Sequence, residues 1–169
     1  MNVKEVNGNL FDFLEEDVAC CHCIAADFGM VGGIAKQFVD RMNMRNLLKD
    51  WSKKNNIKTY KNFYENLGVT RPELLGRAVK VGMVFNLVTK LWTYEKPTYD
   101  TLYDALEDLK SQLDGLGIKK LYMPKIGCGI DGLAWIAVHA IIWRVFGDTD
   151  IEVVVVNYRK GVNYGLEQY

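Results

Sequence analysis

One stretch limits what this chain can become: Met123-Pro-Lys-Ile-Gly-Cys-Gly-Ile-Asp-Gly-Leu-Ala-Trp135. A short apolar strand, Ile118 to Met123, runs into Pro124, which lacks the N–H that a ladder needs and so ends it. Gly127, Gly129 and Gly132 follow, then an apolar helix starting near Leu133. Glycine has no Cβ, so such a loop presents free backbone N–H groups at close range, and the helix behind adds its positive N-terminal end. This is the build of a phosphate cradle, with Asp131 as its one carboxylate. A purely structural glycine turn satisfies the same spacing.

The scheme occurs twice. Val3 to Val6 reads as a first strand closed by Asn7-Gly8-Asn9, and Val18 to Ile24 as a second, apolar enough to be covered on both faces. Ala25 to Gly33 is another glycine-bearing loop, and the helix after it carries Ile34, Phe38, Met42 and Leu47 at roughly helical spacing. Ala78 to Thr89 is a strand region with Gly82 as a bend or hairpin tip, and it delivers Lys90 at its end. Thr98 is placed to cap a helix that turns Leu102, Leu106, Leu109 and Leu113 to the core, with Gly115 and Gly117 stopping it. The helix Leu133 to Phe146 is apolar nearly all round, and Ile151 to Val156 reads as a central strand. This alternation predicts one α/β domain over residues 1–169 with a mostly parallel sheet. Both glycine loops lie together if they leave the same sheet edge, where open α/β sheets bind ligands.

Lys plus Arg number 21 and Asp plus Glu number 21, so bulk charge does not draw the chain to nucleic acid or an anionic membrane. No apolar run reaches the ~20 residues of a membrane helix, and the N-terminus has no apolar signal core. Both point to a soluble cytoplasmic protein. Three of the four cysteines lie in Cys20-Cys21-His22-Cys23. Strand alternation sends Cys21 and Cys23 to one face and Cys20 and His22 to the other, so a zinc site fails on geometry and buried thiols in a reduced cytosol remain. Asp12, Glu15, Glu16 and Asp17 make an acidic patch on a solvated turn. Lys53, Lys54, Lys58 and Lys61 lie close to Tyr60, Phe63 and Tyr64, a pattern open to nucleic-acid contact or to a solvated helix pair. The tail, Asn157 to Tyr169, holds three tyrosines and no clear period.

Three segments together resemble the macrodomain family, most closely its terminal ADP-ribose protein glycohydrolase branch. They are His22-Cys-Ile-Ala-Ala-Asp-Phe-Gly-Met-Val-Gly-Gly-Ile-Ala35, Leu87-Val-Thr-Lys-Leu-Trp-Thr-Tyr-Glu-Lys-Pro-Thr-Tyr99, and Pro124-Lys-Ile-Gly-Cys-Gly-Ile-Asp-Gly-Leu-Ala-Trp135. Gly8-Asn9-Leu10-Phe11 stands where the family has Gly-Asp-Leu, and the stretch from Met42 to Arg77 matches worst. The resemblance implies a three-layer α/β/α fold with a mixed, mostly parallel central sheet.

It also implies a site. Asn9 and Leu10 would lie beside the adenine of ADP-ribose, Asn9 accepting through its carbonyl where the family has an aspartate. Met30, Val31, Gly32, Gly33 and Ile34, with Ile126, Gly127, Cys128, Gly129 and Ile130, would wrap the diphosphate and distal ribose. Val31 departs from the glycine common in this branch, so the local turn is open to difference. Tyr158 is a candidate adenine stacker or a surface tyrosine. Lys90 would attack the anomeric carbon of the distal ribose, and Asp131 would help resolve the lysyl adduct; a helix N-cap is its other reading. A free lysine with a pKa of ~10.4 attacks only when neutral, so burial has to lower it. The implied activity removes ADP-ribose from acidic side chains or deacylates O-acyl-ADP-ribose, without metal or cofactor, in a monomer. Alternatives are an ADP-ribose 1″-phosphate phosphatase, an ADP-ribosyl nucleic acid hydrolase and a non-catalytic ADP-ribose reader.

Overall fold

Side chains that alternate along the strands fill two cores, one on each face of a central sheet. The computed structural model describes residues 2–61 and 68–159. Phe63, Tyr64 and most of the tyrosine-bearing tail lie outside the described residues. The chain runs β1 (Val3–Asn7), β2 (Ala19–Ala25), α1 (Gly33–Met42), α2 (Met44–Lys54), β3 (Tyr60–Lys61), β4 (Val69–Thr70), β5 (Ala78–Val81), β6 (Val84–Lys90), α3 (Tyr99–Leu116), β7 (Lys120–Met123), α4 (Trp135–Phe146) and β8 (Glu152–Asn157). The six-stranded sheet has the order β1-β8-β7-β2-β6-β5. Every pairing is parallel except β5–β6, an antiparallel hairpin whose tip holds Gly82 at φ 59°. The expected mixed, mostly parallel sheet between helical layers is therefore present.

One core joins Cys21, Phe85, Leu87, Leu121, Met123, Val153 and Val155 to the inner faces of α3 and α4. The other joins Cys20, Ile24, Val84, Val88, Val154 and Val156 to Phe38, Met44 and Leu48 of α1 and α2. Consecutive strand residues feed opposite cores, which is why β2 and β8 read as continuous apolar runs. Cys20 and Cys21 part as strand alternation requires. His22 follows Cys20, stacking on Phe38 with ring centroids 4.1 Å apart.

Several local expectations change. The helix after the first glycine loop breaks at Asn43, which is left-handed at φ 56°, so the apolar period restarts. Leu48 is buried and Leu47 is 40% exposed, opposite to a single-helix reading. Between Lys49 and Arg77, α2 ends at Lys54 and the described residues then form the antiparallel β3–β4 pair, Tyr60 facing Thr70 and Lys61 facing Val69. Gly115 lies inside α3, and Gly117 alone ends it in a left-handed cap; Ile118 N–H still bonds Leu113, which delays β7 to Lys120. Thr98 does cap α3, its hydroxyl and that of Thr101 forming a reciprocal capping box. No helix among the described residues is long and apolar enough to cross a membrane.

His22 and Asn86 form a buried polar pair between β2 and β6. Asn86 donates to the Val79 carbonyl, so its Oδ1 accepts from His22 Nε2 at 2.6 Å, which makes His22 a neutral Nε2–H tautomer. Its Nδ1 has no hydrogen-bond partner. Burial lowers the imidazole from 6.5 to about 4, the Asn86 bond opposing this only in part. The unfolded chain then takes a proton below pH 6.5 that the fold refuses until about pH 4. This contribution to stability is complete above 6.5 and shrinks as pH falls toward 4, a loss of roughly 3 kcal/mol. Urea unfolding at pH 7.5 and 4.5 is expected to differ less in His22→Phe than in wild type by about 2–3 kcal/mol; an unchanged difference would remove His22 as its source.

Candidate active site

Strands β2, β6 and β7 run parallel, so the loops after them leave one sheet edge. Those loops enclose a cleft of about 290 Å³. Met30, Val31, Gly32, Gly33 and Ile34 line one wall, Ile126, Gly127, Gly129, Ile130 and Asp131 the other, and Lys90 contributes from the end of β6 and Thr93 from the loop that follows it. The sequence separated these pieces by as many as a hundred residues; the parallel register joins them. Asn9, Leu10, Cys128 and Tyr158 lie outside this lining.

Lys90 is the last residue of β6. A register shift at Ile24/Ala25 pairs it with Ala25, and Ala26 N–H donates to its carbonyl at 2.9 Å. A bulge of this kind re-aims the chain at a strand end. Lys90 Nζ donates to Asp131 Oδ1 at 2.8 Å and to the Thr93 carbonyl at 3.1 Å. The two charged side chains are 10% and 16% exposed, so the pair stands in a largely desolvated corner of the cleft. The N-cap reading of Asp131 does not hold: α4 starts at Trp135, its N-cap is Ala134, and Tyr99 Oη accepts from the Ala134 N–H at 3.1 Å. Leu133 N–H instead closes the loop on the Gly127 carbonyl at 2.8 Å. Gly127 needs its missing Cβ twice over, for its φ of 71° and because a methyl there would meet Leu133 Cδ1 at 2.9 Å.

The first loop turns at Gly33, φ 60°, and also where it has no glycine. Phe28 and Met30 carry positive φ, 57° and 49°, while Val31 does not and is 69% exposed. Left-handed backbone at two non-glycine residues costs on the order of 1 kcal/mol or more each and persists only where neighbours hold it. Two arginines supply the hold. Arg45 of α2 donates to the carbonyls of Phe28, Gly29 and Met30, and Arg71 donates to Ala26 while its guanidinium lies 3.9 Å from the centre of the Phe28 ring. Neither was singled out in the sequence. Both fall in the stretch that matches the family worst, and no local spacing marks a lone arginine as a carbonyl clamp. Across the cleft, Ile130 reaches over the glycines: a Cβ on Gly32 would meet Ile130 Cδ1 at 2.9 Å.

Among the thiols, Cys23 lines the cleft and is the alternative nucleophile. Burial pushes it well above the ordinary thiol range, and Asp131 and Cys128 push further. Burial also raises Cys128, whose Sγ donates to the Ile126 carbonyl. Both therefore remain protonated and poor nucleophiles at neutral pH. Asn9 is fully buried and caps the 3₁₀ turn Leu10–Asp12, its Oδ1 accepting from Phe11 N–H at 3.0 Å. Gly8 N–H bonds the Asn157 carbonyl at 2.9 Å, which sets this turn beside Tyr158, a half-buried residue.

No family model matches the chain. Two curated relatives do: the ADP-ribose glycohydrolase OARD1 of Bos taurus, 35% identical over 154 residues, and that of Homo sapiens, 34% identical over 154 residues, each alignment covering 90% of this chain and 90% of the relative. Among solved structures, the macrodomain of Thermus aquaticus DarG superposes with a TM-score of 0.70 at 19% identity over 93% of this chain and 97% of that one. Thermosipho africanus DarTG in complex with ADP-ribose gives 0.68 at 18% identity, over 92% of this chain and 41% of that one. At those identities the likeness is one of fold.

The arginine clamp generates a direct expectation. Arg45→Ala leaves three loop carbonyls without their donor and should lower unfolding free energy by about 2 kcal/mol. A denaturant titration with unchanged midpoint would mean that the loop holds its shape without Arg45.

Proposed function

The chain belongs to the macrodomain family, and from that premise we propose that it is an ADP-ribosyl hydrolase in which Lys90 is the nucleophile and Asp131 its proton partner. One observation carries the reading: the Lys90–Asp131 pair at 2.8 Å, in a cleft walled by two amide-rich loops. The walls suit a diphosphate, because the loop before α1 ends on free N–H groups at a helix N-terminus. The distal ribose then sits over Lys90, and adenine lies toward Asn9, Leu10 and Tyr158.

The steps follow from the contacts. Asp131 accepts a proton from the Lys90 ammonium and passes it to solvent, and the freed lone pair attacks the anomeric carbon of the distal ribose. The bond from that carbon to the acceptor oxygen breaks, and the acceptor leaves as a carboxylate with the electron pair. Water then attacks the lysyl–ADP-ribose adduct, giving up a proton to Asp131. The carbon–nitrogen bond breaks, returning the amine and free ADP-ribose. Esters of Glu and Asp fit because a carboxylate needs little help to depart; O-acyl-ADP-ribose belongs to the same chemical class. No step uses a metal ion, and one copy of the chain supplies both residues.

A nucleic-acid acceptor is the second reading, favoured by one observation. Thr70 Oγ1 donates to the Leu91 carbonyl at 2.5 Å, which fastens β4 beside the residue after Lys90. Its partner strand carries Tyr60, 60% exposed, and Lys61 on that same flank.

Glutamate-linked ADP-ribosyl peptide incubated with wild type should release ADP-ribose, and Lys90→Ala should slow release at least ~1,000-fold. Asp131→Ala should slow it ~100-fold and accumulate protein heavier by one ADP-ribose, mapped to Lys90. An adduct on another residue would overturn the assignment. Phosphate release from ADP-ribose 1″-phosphate that survives Lys90→Ala would favour the phosphatase, faster turnover of a nucleobase-linked substrate the second reading, and tight binding by wild type without release a reader.

A further inference from the structure

We propose that Asp27, which does not line the cleft, is a positioning residue for this reaction: it fixes Thr93 so that the Thr93 carbonyl orients the Lys90 amine for attack. The inference rests on the lysine reading given above and deepens it. Asp27 Oδ2 accepts from the Thr93 N–H at 2.8 Å, and its Oδ1 accepts from the Thr93 hydroxyl at 2.7 Å and from the Gly29 N–H at 2.9 Å. Thr93 in turn presents its carbonyl to Lys90 Nζ at 3.1 Å. One carboxylate therefore ties the loop after β2 to the loop after β6 at the point where the latter meets the nucleophile.

The geometry of the amine gives this tie its meaning. A lysine amine has three tetrahedral positions beyond its carbon. Once Asp131 has taken one proton and passed it to solvent, two N–H bonds remain on the amine, and two acceptors stand ready for them, the Asp131 Oδ1 carboxylate oxygen and the Thr93 carbonyl. With both engaged, the lone pair takes the third position and rotation about the Cε–Nζ bond is arrested. With Thr93 loose, Asp131 alone cannot stop that rotation, and the productive orientation becomes one of several. The packing around the link is close. A Cβ on Gly29 would meet Thr93 Oγ1 at 2.0 Å, so glycine at this position is what lets the threonine hydroxyl reach Asp27. Gly29 has no positive φ among the described residues, so close approach rather than backbone freedom is its role.

Single-turnover release from glutamate-linked peptide, measured beside calorimetric affinity for free ADP-ribose, separates positioning from pocket building. Asp27→Asn puts an N–H₂ group against Thr93 and should slow release ~10–100-fold while leaving ADP-ribose affinity within about twofold. Thr93→Val should behave the same way, and Thr93→Ser, which keeps the hydroxyl, should restore the rate to within about threefold of wild type. Thr93→Val also serves where Asp27→Asn fails to fold. Wild-type rates in both, with Lys90→Ala inactive, would overturn this inference alone. Rate and affinity falling together would overturn it too, making Asp27 a scaffold of the pocket. A wild type without turnover, or an active Lys90→Ala, would overturn the lysine reading and this inference with it.

Discussion

Everything at the cleft depends on β2, β6 and β7 running parallel side by side. In a parallel sheet each strand must be re-entered from the same end, so each carboxyl end opens onto the same edge and every loop there competes for one space. Pro124 after β7 and, opposite Ile24/Ala25 of β2, the extra residue Thr89 that sets Lys90 at the limit of β6 are two ways of ending a strand on that edge. The β5–β6 hairpin is the only antiparallel pairing in the described six-stranded sheet, and it turns at Gly82, before the start of β6, whereas Lys90 stands at its end. Lys90 is thus carried by a strand of the antiparallel pair, at the end away from its turn.

The loops are stabilised from behind rather than from within. Left to itself, a backbone with Phe28 and Met30 in the left-handed region would relax. Arg45 and Arg71 prevent this by satisfying the carbonyls of Ala26, Phe28, Gly29 and Met30. Burial lowers the Arg71 guanidinium below its usual value, with the charge of Asp27 opposing that effect. Asp27 therefore stands between a cation that holds its own loop and a threonine that belongs to the next. Ile130 completes the arrangement from the far wall, its carbonyl receiving Lys96 Nζ at 2.6 Å.

The sequence was most legible where one residue type has one structural use. The continuous apolar runs of β2 and β8 needed apolar cover on both faces and have it; Thr98 and Gly117 mark the ends of α3 because a hydroxyl acceptor and a left-handed residue are what those ends require. Lys90 and Asp131 were legible through the family resemblance of two separate motifs, and the fold brings them into contact. Legibility failed where the cause lies far along the chain. Asn43 breaks a helix whose apolar pattern runs on, and Arg45 serves a loop fifteen or more residues away. Leu133 could have begun α4 by composition, yet its N–H is taken by Gly127. Asp27 looked like one polar residue in a loop, since nothing near it in sequence foretells Thr93.

The missing methyl of Gly29 reaches beyond this one molecule. Because the Thr93 hydroxyl occupies the space where that methyl would sit, positions 29 and 93 share a single volume, and neither can change size without the other. Across an alignment of relatives these two columns should vary as a pair: a side chain at the first accompanied by a smaller residue at the second. The bend after β2 and the segment after β6 would then pass through evolution as one inherited part, although Gly29 and Thr93 stand 64 positions apart in the chain.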